Sequence, residues 1–264
     1  MNRMNLHSLF LRYKYLFLVL LLSFFSPIIY SEQISEPTIS IIIDDLGYKE
    51  KEDLLALSLP GPIAYAILPH APYSKKLATI ASESGKEILL HQPMQAYEKN
   101  ELLGPGALTL DMTQKEFVKT LESNISVVSN IIGLNNHMGS LLTRHPGHMQ
   151  WLMNVLKRNE YIYVDSLTST SSVAGEIARK NRVPFLERDI FLDNKKDLEY
   201  ITKKFFELIS IAKKEGSALA IAHPHFNTIE ILSKFLQDID KYGVKLVGVK
   251  SLIKIRNAKY YTDI

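Results

Sequence analysis

Acidic and histidine side chains follow several short apolar runs of this sequence, and these residue types can bind a metal ion and move protons. Asp44 and Asp45 follow three consecutive isoleucines, and His91 and His137 each follow an apolar run. One aspartate with the two histidines would give three protein ligands and leave positions open for water and a substrate oxygen. The sequence therefore predicts a catalytic metal site, although either histidine taken singly could equally be a satisfied core or loop residue.

A second pair of histidines, His223 and His225, follows the apolar run 218–222. The unperturbed pKa of histidine lies near neutrality, so this pair offers a proton donor, a fourth metal ligand, or both. Asp165 ends another run, where it could orient such a histidine or cap the segment 166–172. His70 is a weaker candidate of the same kind, and so are the segments 188–189 and 193–194.

The segment around His137 offers further candidate residues. Gly139 and Ser140 are small enough to let the backbone and a substrate approach closely, so Asn136 and Ser140 are candidates for substrate contact or support. His145 and His148 have the H-x-x-H spacing of zinc ligands, but the proline and glycine between them predict a loop or first helical turn. We expect these two histidines on the surface.

The elements that would position these residues alternate between strand-like and helix-like segments from Ile39 onward. Short apolar runs rich in Ile, Val and Tyr are typical of buried strands in a parallel sheet, whose carboxyl ends form the active-site rim. About eight such runs, each separated by a helix-length segment, predict an α/β fold with one parallel sheet, closed as a barrel or nearly so. The pattern leaves seven or eight strands, and an open or closed sheet, as alternatives.

Local signals mark the helices that separate the strands. A capping box, Thr113 with Glu116, opens a helix that runs to about residue 128. Pro146 suits the first turn of another helix. Further helices are predicted over 49–57, 74–84, 171–180, 197–214 and 227–242, and late strands over 183–186 and 245–249. The longest irregular connection, 95–110, directly follows His91 and is expected to face the substrate.

The first 31 residues read as a signal peptide or an N-terminal membrane anchor, with 32–264 as the domain that follows. Arg3, Arg12 and Lys14 precede an apolar stretch, so we expect an exported protein, periplasmic or extracytoplasmic, that meets the membrane only through this segment. Without these three residues the 31 basic groups become 28, equal to the 28 acidic groups, which gives no electrostatic support for a nucleic-acid partner. The sequence has no cysteine, so no disulfide stabilises the domain.

In combination, these stretches resemble the divergent polysaccharide deacetylase family, a branch of the carbohydrate esterase superfamily. The matching segments are 41–47, 66–74, 85–94, 135–140, 164–166, 188–194 and 222–225. The resemblance implies a distorted parallel (β/α) barrel of seven or eight strands.

The resemblance also implies roles for individual residues. The first aspartate of the superfamily's pair acts as base and the second binds the metal, which implies Asp44 and Asp45 in those roles. The first histidine of its H-x-x-x-H metal motif falls on His91, whereas the second would fall on Gln95. A third ligand must then come from elsewhere, and His137 is the candidate. The superfamily's late acid histidine corresponds best to His223, with His70, Asn136, Ser140, Asp165 and His225 as substrate contacts or supports.

The implied reaction is metal-assisted hydrolysis of an N-acetyl group on an amino sugar of an envelope polysaccharide such as peptidoglycan. Zn²⁺ fits the ligand set, and iron, cobalt or nickel are alternatives. Two other functions stay open: a metal-dependent hydrolase that acts on another envelope bond, and a degenerate, non-catalytic domain that binds a glycan or a partner.

Overall fold

The computed structural model describes residues 36–262. These residues belong to one unit of the chain, and the predicted signal peptide or anchor of residues 1–31 lies outside the described part. Within the described part, no helix combines the length and the apolar character needed to cross a lipid bilayer.

A single parallel sheet forms the centre of the fold. The strands follow the order β6-β5-β4-β3-β2-β1-β8-β7, and β9 pairs with β1. Their bounds are β1 Thr38–Leu46, β2 Ala64–Ile67, β3 Glu87–Met94, β4 Gly133–Met138, β5 Ile162–Asp165, β6 Phe185–Glu187, β7 Ile190–Phe191, β8 Ser217–Ala222 and β9 Lys245–Leu246.

The two edges of this sheet approach each other. Strands β6 and β7 lie at opposite ends of the strand order, yet only Arg188 and Asp189 separate them in sequence. Two residues span less than about 12 Å, so the sheet must curl until its edges nearly meet. Arg256 bridges the gap, because its guanidinium donates to Asp189 Oδ2 at 2.5 Å and to the Glu187 carbonyl at 3.4 Å. The predicted distorted parallel barrel is confirmed.

Eight α-helices connect the strands or follow them in the described part of the chain. They are α1 Glu50–Leu57, α2 Ser74–Glu83, α3 Gln114–Val127, α4 Pro146–Arg158, α5 Ala174–Asn181, α6 Leu198–Glu215, α7 Phe226–Leu236 and α8 Val249–Thr262. The capping box of Thr113 and Glu116 is present at the start of α3, and Gly216 ends α6 in the left-handed conformation. The local signals therefore predicted these helix ends correctly.

Three predicted boundaries differ from the structure. Helix α5 begins only at Ala174, because Ser172 donates its hydroxyl to Asp165 in the preceding turn. Helix α7 ends at Leu236, and a short 3₁₀ helix follows at Ile239–Tyr242. Strand β9 stops at Leu246, so the predicted strand 245–249 ends early and Val249 begins a helix instead.

The sheet separates two apolar layers. Alternate residues of the strands, such as Ile41 and Tyr65, face the surrounding helices. The residues between them, such as Ile42 and Leu89, form a smaller core with Leu252 of α8. The C-terminal helix thus fills the concave side of the sheet, and the sequence did not predict it.

The structure also corrects the prediction for His148. Its side chain is buried, and its ring packs edge-on against Phe117 and contacts Trp151. Its Nδ1 lies 3.0 Å from Nδ1 of His145, which is exposed as expected. The apolar face of α4 packs into the core, and this buries His148 with it.

Candidate active site

Strand β1 ends in a bulge that places two adjacent carboxylates at different depths. The pairing of β1 with β2 shifts register between Ile43 and Leu46, and Asp45 has a φ of 63°. A left-handed backbone is uncommon for a residue other than glycine and marks a strained position that the surrounding structure must hold. As a result, Asp44 is buried beneath the rim while the Asp45 side chain is 37 % exposed above it.

Asp45, His91 and His137 converge on one point. Asp45 Oδ1 lies 3.1 Å from His91 Nε2 and 2.9 Å from His137 Nδ1. The three ligand atoms lie within 4.8 Å of one another. One carboxylate and two imidazole nitrogens are the donor set of many catalytic zinc sites and of the 2-His-1-carboxylate iron sites. The side chains of Asp45 and His137 are partly exposed, so water and substrate have access. The residues therefore fit a divalent cation.

Asn135 links this cluster to Asp44. Its side-chain oxygen lies 2.8 Å from His91 Nδ1, and its amide nitrogen donates to Asp44 Oδ1 at 2.8 Å. An amide oxygen accepts only, so we assign the proton of His91 to Nδ1, which leaves Nε2 free to bind a metal. The parallel register pairs His91 with Asn135 and thereby creates this contact.

His223 faces the cluster from the end of β8. Its Nε2 lies 3.9 Å from Asp45 Oδ2, and its Nδ1 lies 2.9 Å from Asp193 Oδ1. Burial opposes protonation of this imidazole, but the hydrogen bond and charge of Asp193 outweigh burial and raise the pKa of His223 to about 9. His223 therefore carries a proton at neutral pH. From the sequence, Asp165 was a candidate to orient this histidine and Asp193 was a weaker candidate. In the structure, Asp193 contacts His223 and orients its ring.

The pKa values of Asp44 and Asp45 are shifted in opposite directions. Burial raises the pKa of Asp44, although His91 and His223 partly offset this effect. Burial also opposes ionisation of Asp45, but hydrogen bonds with His137 and His91 outweigh it and hold its pKa well below the usual value. Asp45 is thus suited to remain a charged ligand, and Asp44 to accept a proton.

A second group of potential ligands is Asp193, His223 and His225. Both oxygens of Asp193 already accept hydrogen bonds, one from His223 Nδ1 and the other from the His223 backbone N–H and the Thr228 hydroxyl. The ring of His225 stacks on that of His223 with centroids 5.8 Å apart. This group is best explained as the support of His223 rather than as a metal site.

Four of the predicted supports contact neighbouring loops. His70 Nε2 lies 2.9 Å from Asn124 Oδ1, and Ser140 Oγ accepts from the Tyr97 backbone N–H at 3.2 Å. These contacts fasten the connection after β3 and helix α3 to the barrel.

Asn136 and Asp165 fix the turns after β4 and β5. Asn136 Oδ1 accepts from the Ser166 backbone N–H at 2.9 Å. Asp165 accepts from the Leu167 backbone N–H and from the Ser172 hydroxyl, the capping role that the sequence left open. Both residues hold backbone rather than contact the metal-ligand cluster.

Gln95, which stands at the position of the second histidine of the superfamily's metal motif, forms hydrogen bonds within the connection 95–110. Its side-chain oxygen accepts from the Leu110 backbone N–H at 2.8 Å, and its backbone N–H donates to the Leu108 carbonyl. Gln95 therefore closes the connection 95–110 on itself. Gln95 thus has a structural role at the position of the missing histidine, and His137 supplies the third ligand atom of the cluster, its second ring nitrogen.

An open cleft of about 390 Å³ leads to the cluster. Asp45, His137, His223 and His225 line its inner part, and Leu102, which is 62 % exposed, contributes from the connection 95–110. The remaining lining residues are Tyr48, Lys49, Leu68, Met138 and Pro224. The long connection therefore borders the cleft.

The fold and site define a deacetylase-like barrel, and the sequence comparison agrees. Residues 41–253 match the family described as divergent polysaccharide deacetylase, and the chain belongs to this family. A relative from Haemophilus influenzae, an uncharacterized protein, is 36 % identical over 229 residues, which cover 86 % of this chain and 81 % of the relative.

Solved structures share the fold at low sequence identity. An uncharacterized protein from Agrobacterium tumefaciens has a TM-score of 0.78 at 23 % identity and covers 84 % of this chain and 94 % of its own. The peptidoglycan deacetylase PdaC from Bacillus subtilis has a TM-score of 0.53 at 11 % identity, with 87 % and 96 % covered. A CE4 family pseudoenzyme from Bacillus anthracis has a TM-score of 0.53 at 9 % identity, with 83 % and 66 % covered. These likenesses establish the barrel fold.

Proposed function

We propose that this protein is a metal-dependent hydrolase that removes N-acetyl groups from the amino sugars of an envelope polysaccharide. The observation that carries the proposal is the convergence of Asp45, His91 and His137 beside the buried Asp44 and beside His223, whose Nδ1 contacts Asp193. A cation-binding cluster flanked by one proton acceptor and one proton donor is what amide hydrolysis requires.

Asp45, His91 and His137 would hold the divalent cation, most simply Zn²⁺. When bound, the cation supplies Lewis acidity, which polarises the acetyl carbonyl and lowers the pKa of water. Asp45 contributes a permanent negative charge, and the contact of Asn135 with His91 Nδ1 keeps Nε2 of that histidine free for binding.

Asp44 and His223 would move the protons. Asp44, whose pKa burial raises, accepts a proton from the attacking water as its oxygen bonds to the acetyl carbon. The carbon–nitrogen bond then breaks, and His223 Nε2 gives its proton to the departing amine nitrogen. Asp193 holds the opposite ring nitrogen during this transfer. The products are acetate and a free amino sugar.

The same proposal includes a substrate class, the glycans of the cell envelope, and a location outside the cytoplasm. The family is named for polysaccharide deacetylation, and PdaC is a peptidoglycan deacetylase of the same fold. The basic, apolar N-terminal segment supports export, so a glycan of the envelope is the natural substrate.

Acetate release from N-acetylglucosamine oligomers, measured together with bound metal, tests the proposal. We expect about one divalent ion per chain and release that His137→Ala abolishes together with metal binding. Asp44→Asn should retain the ion and reduce release by about 10²-fold or more. The exposed His145→Ala serves as the matched histidine control. Bound metal without acetate release would indicate a hydrolase for another bond.

A second candidate function is a non-catalytic glycan-binding or partner-binding domain. The fold is shared with a CE4 family pseudoenzyme, and Gln95 stands where the superfamily's metal motif has a histidine. This candidate predicts neither stoichiometric metal nor acetate release from any glycan. The same metal measurement therefore separates it from the hydrolase.

A further inference from the structure

A second cleft lies directly beside the candidate active-site cleft. Its volume is about 280 Å³, and Lys49, Pro224 and His225 line both clefts. Because they share these walls, a glycan chain that places one sugar at the metal-ligand cluster can place a neighbouring sugar in the second cleft.

The second cleft has an excess of positive charge. Lys49 and Lys196 line it, and Glu52 is the acidic residue among its lining side chains. These lining side chains carry two ammonium groups against one carboxylate, and the ammonium group of Lys51 lies 6.0 Å from the centroid of the Phe226 ring at the rim. Within the described side chains, neither Lys49 nor Lys196 forms an ion pair. Both ammonium groups are therefore available to a ligand.

The backbone around both lysines is held in place. The Lys49 backbone N–H donates to the buried Asp53 at 3.1 Å, and the Lys196 carbonyl accepts from the Asn227 side chain at 2.7 Å. The cleft also presents an aromatic surface, since Phe226 is 54 % exposed at its rim. An exposed aromatic ring suits the apolar face of a pyranose, and ammonium groups on a backbone that is held in place suit a carboxylate.

We propose that this second cleft, formed by Lys49, Lys196 and Phe226, binds a sugar residue that carries a carboxylate, next to the sugar that is deacetylated. This inference rests on the proposed function, because it names the kind of glycan that the site takes. The excess of positive charge at the cleft suits the carboxylate of an acidic sugar. Glycans that alternate an N-acetylated sugar with an acidic sugar fit this arrangement.

The direct test is binding by the full chain carrying Asp44→Asn, which leaves the glycan uncleaved. The probe is a peptide-free peptidoglycan tetrasaccharide, in which alternate sugars carry a lactyl carboxylate, compared with the same compound converted to its carboxamide. We expect the acid form to bind about threefold to tenfold more tightly at low salt, with the difference shrinking as salt rises. Equal affinities for the two forms would overturn the proposal.

Substitutions in the second cleft test whether the preference for the acid form arises there. Lys196→Gln should reduce the preference for the acid form, and Lys196→Glu should reverse it. Lys195→Gln removes an equal charge from the neighbouring residue, whose Nζ lies 5.7 Å from the Tyr200 ring centroid, and should leave the preference intact. If Lys195→Gln and Lys196→Gln reduce it equally, the carboxylate is not bound in this cleft.

The deacetylase proposal and the acidic-sugar proposal can fail independently of each other. If no glycan releases acetate but the acid form still binds through Lys196, the deacetylase proposal fails and the acidic-sugar site stands. If acetate is released from acid and carboxamide glycans with equal kcat/KM and both bind equally, the deacetylase stands and the acidic-sugar site fails.

Discussion

Asn135 donates its side-chain amide to Asp44 Oδ1 over 2.8 Å, and both side chains are buried. The oxygen of the same amide contacts His91 Nδ1, also at 2.8 Å. One side chain thus positions both the proposed base and a proposed metal ligand. The pairing of His91 with Asn135 across β3 and β4 places the amide oxygen beside the imidazole.

Replacing Asn135 by leucine should weaken metal binding and catalysis together. Leucine has a similar size but cannot accept the His91 proton or donate to Asp44, so both groups lose their orientation. We expect metal affinity or kcat to fall by about 10- to 100-fold, as is usual when an outer partner of a metal ligand is lost. Competition with a chelator of known affinity, alongside acetate release, measures both quantities.

The control for Asn135→Leu is Asn154→Ala, on the exposed part of α4, where the asparagine accepts a hydrogen bond from Gln150. It should leave metal affinity and kcat unchanged. Unchanged metal affinity and kcat in Asn135→Leu itself would mean that this amide serves the fold alone.

Asp193 should act on catalysis only through His223. The Asp193→Asn variant keeps the shape of the side chain but removes the charge that holds the His223 imidazole protonated. We expect kcat to fall by about 10²-fold. In the double variant Asp193→Asn/His223→Ala, activity should equal that of His223→Ala alone, because groups that act as one unit are not additive.

Asp238→Asn is the matched control, since Asp238 forms an exposed ion pair with Lys241 away from the cleft. It should leave kcat unchanged. Additive losses in the double variant of Asp193 and His223 would show that Asp193 affects activity by another route.

Much of this arrangement follows from local sequence. Apolar runs that lead into Asp45, His91 and His137 predicted strands β1, β3 and β4, although β3 continues past His91 to Met94, and the capping signals at Thr113 predicted the start of α3. Parallel strands bring their carboxyl ends to one edge, so the cluster itself was predictable.

The features that the sequence did not predict depend on contacts between segments that are distant in the chain. Asp193 lies 30 residues before His223 and follows a two-residue strand, β7, which is too short to leave a periodic pattern. Asn135 appears as one polar residue in a buried strand until the register with β3 is known. Helix α8 lacks a clear separation of polar and apolar faces, so its place inside the barrel is a tertiary effect.

His148 should make the fold sensitive to acid. Burial lowers the pKa of His148, and the neighbouring His145 lowers it further, while the other rings that contact it, Phe117 and Trp151, are uncharged. The unfolded chain therefore binds a proton more readily than the folded chain. Its contribution to stability is complete above about pH 6.5 and is lost as the pH falls toward the folded-state pKa.

Urea unfolding at several pH values between about 7.5 and 5 measures this effect. In His148→Gln the free energy of unfolding should fall less steeply with decreasing pH than in the wild type. His145→Gln should flatten the dependence only slightly, because it removes one neighbouring charge and leaves the buried ring. Identical slopes in the wild type and His148→Gln would contradict the assignment.

Gly133 allows β4 and β5 to lie close together, and a side chain there should separate them. A Cβ atom on Gly133 would lie 2.2 Å from the carbonyl oxygen of Ile162, a backbone atom of the paired strand that cannot rotate away. We expect Gly133→Ala to destabilise the protein by about 1–3 kcal/mol. Because β4 also carries Asn135 and His137, the displacement should lower metal affinity as well.

Gly147→Ala is the matched control, since the nearest atom to its added Cβ is His145 Nδ1 at 3.9 Å and the residue lies in the first turn of α4. There the methyl group makes an ordinary van der Waals contact and restricts the unfolded chain, so stability should rise by about 0.4–1 kcal/mol. Thermal and urea unfolding of the two variants should therefore give shifts of opposite sign. If Gly133→Ala loses no stability while Gly147→Ala gains some, β5 can move at little cost and the spacing of β4 and β5 does not constrain the metal ligands.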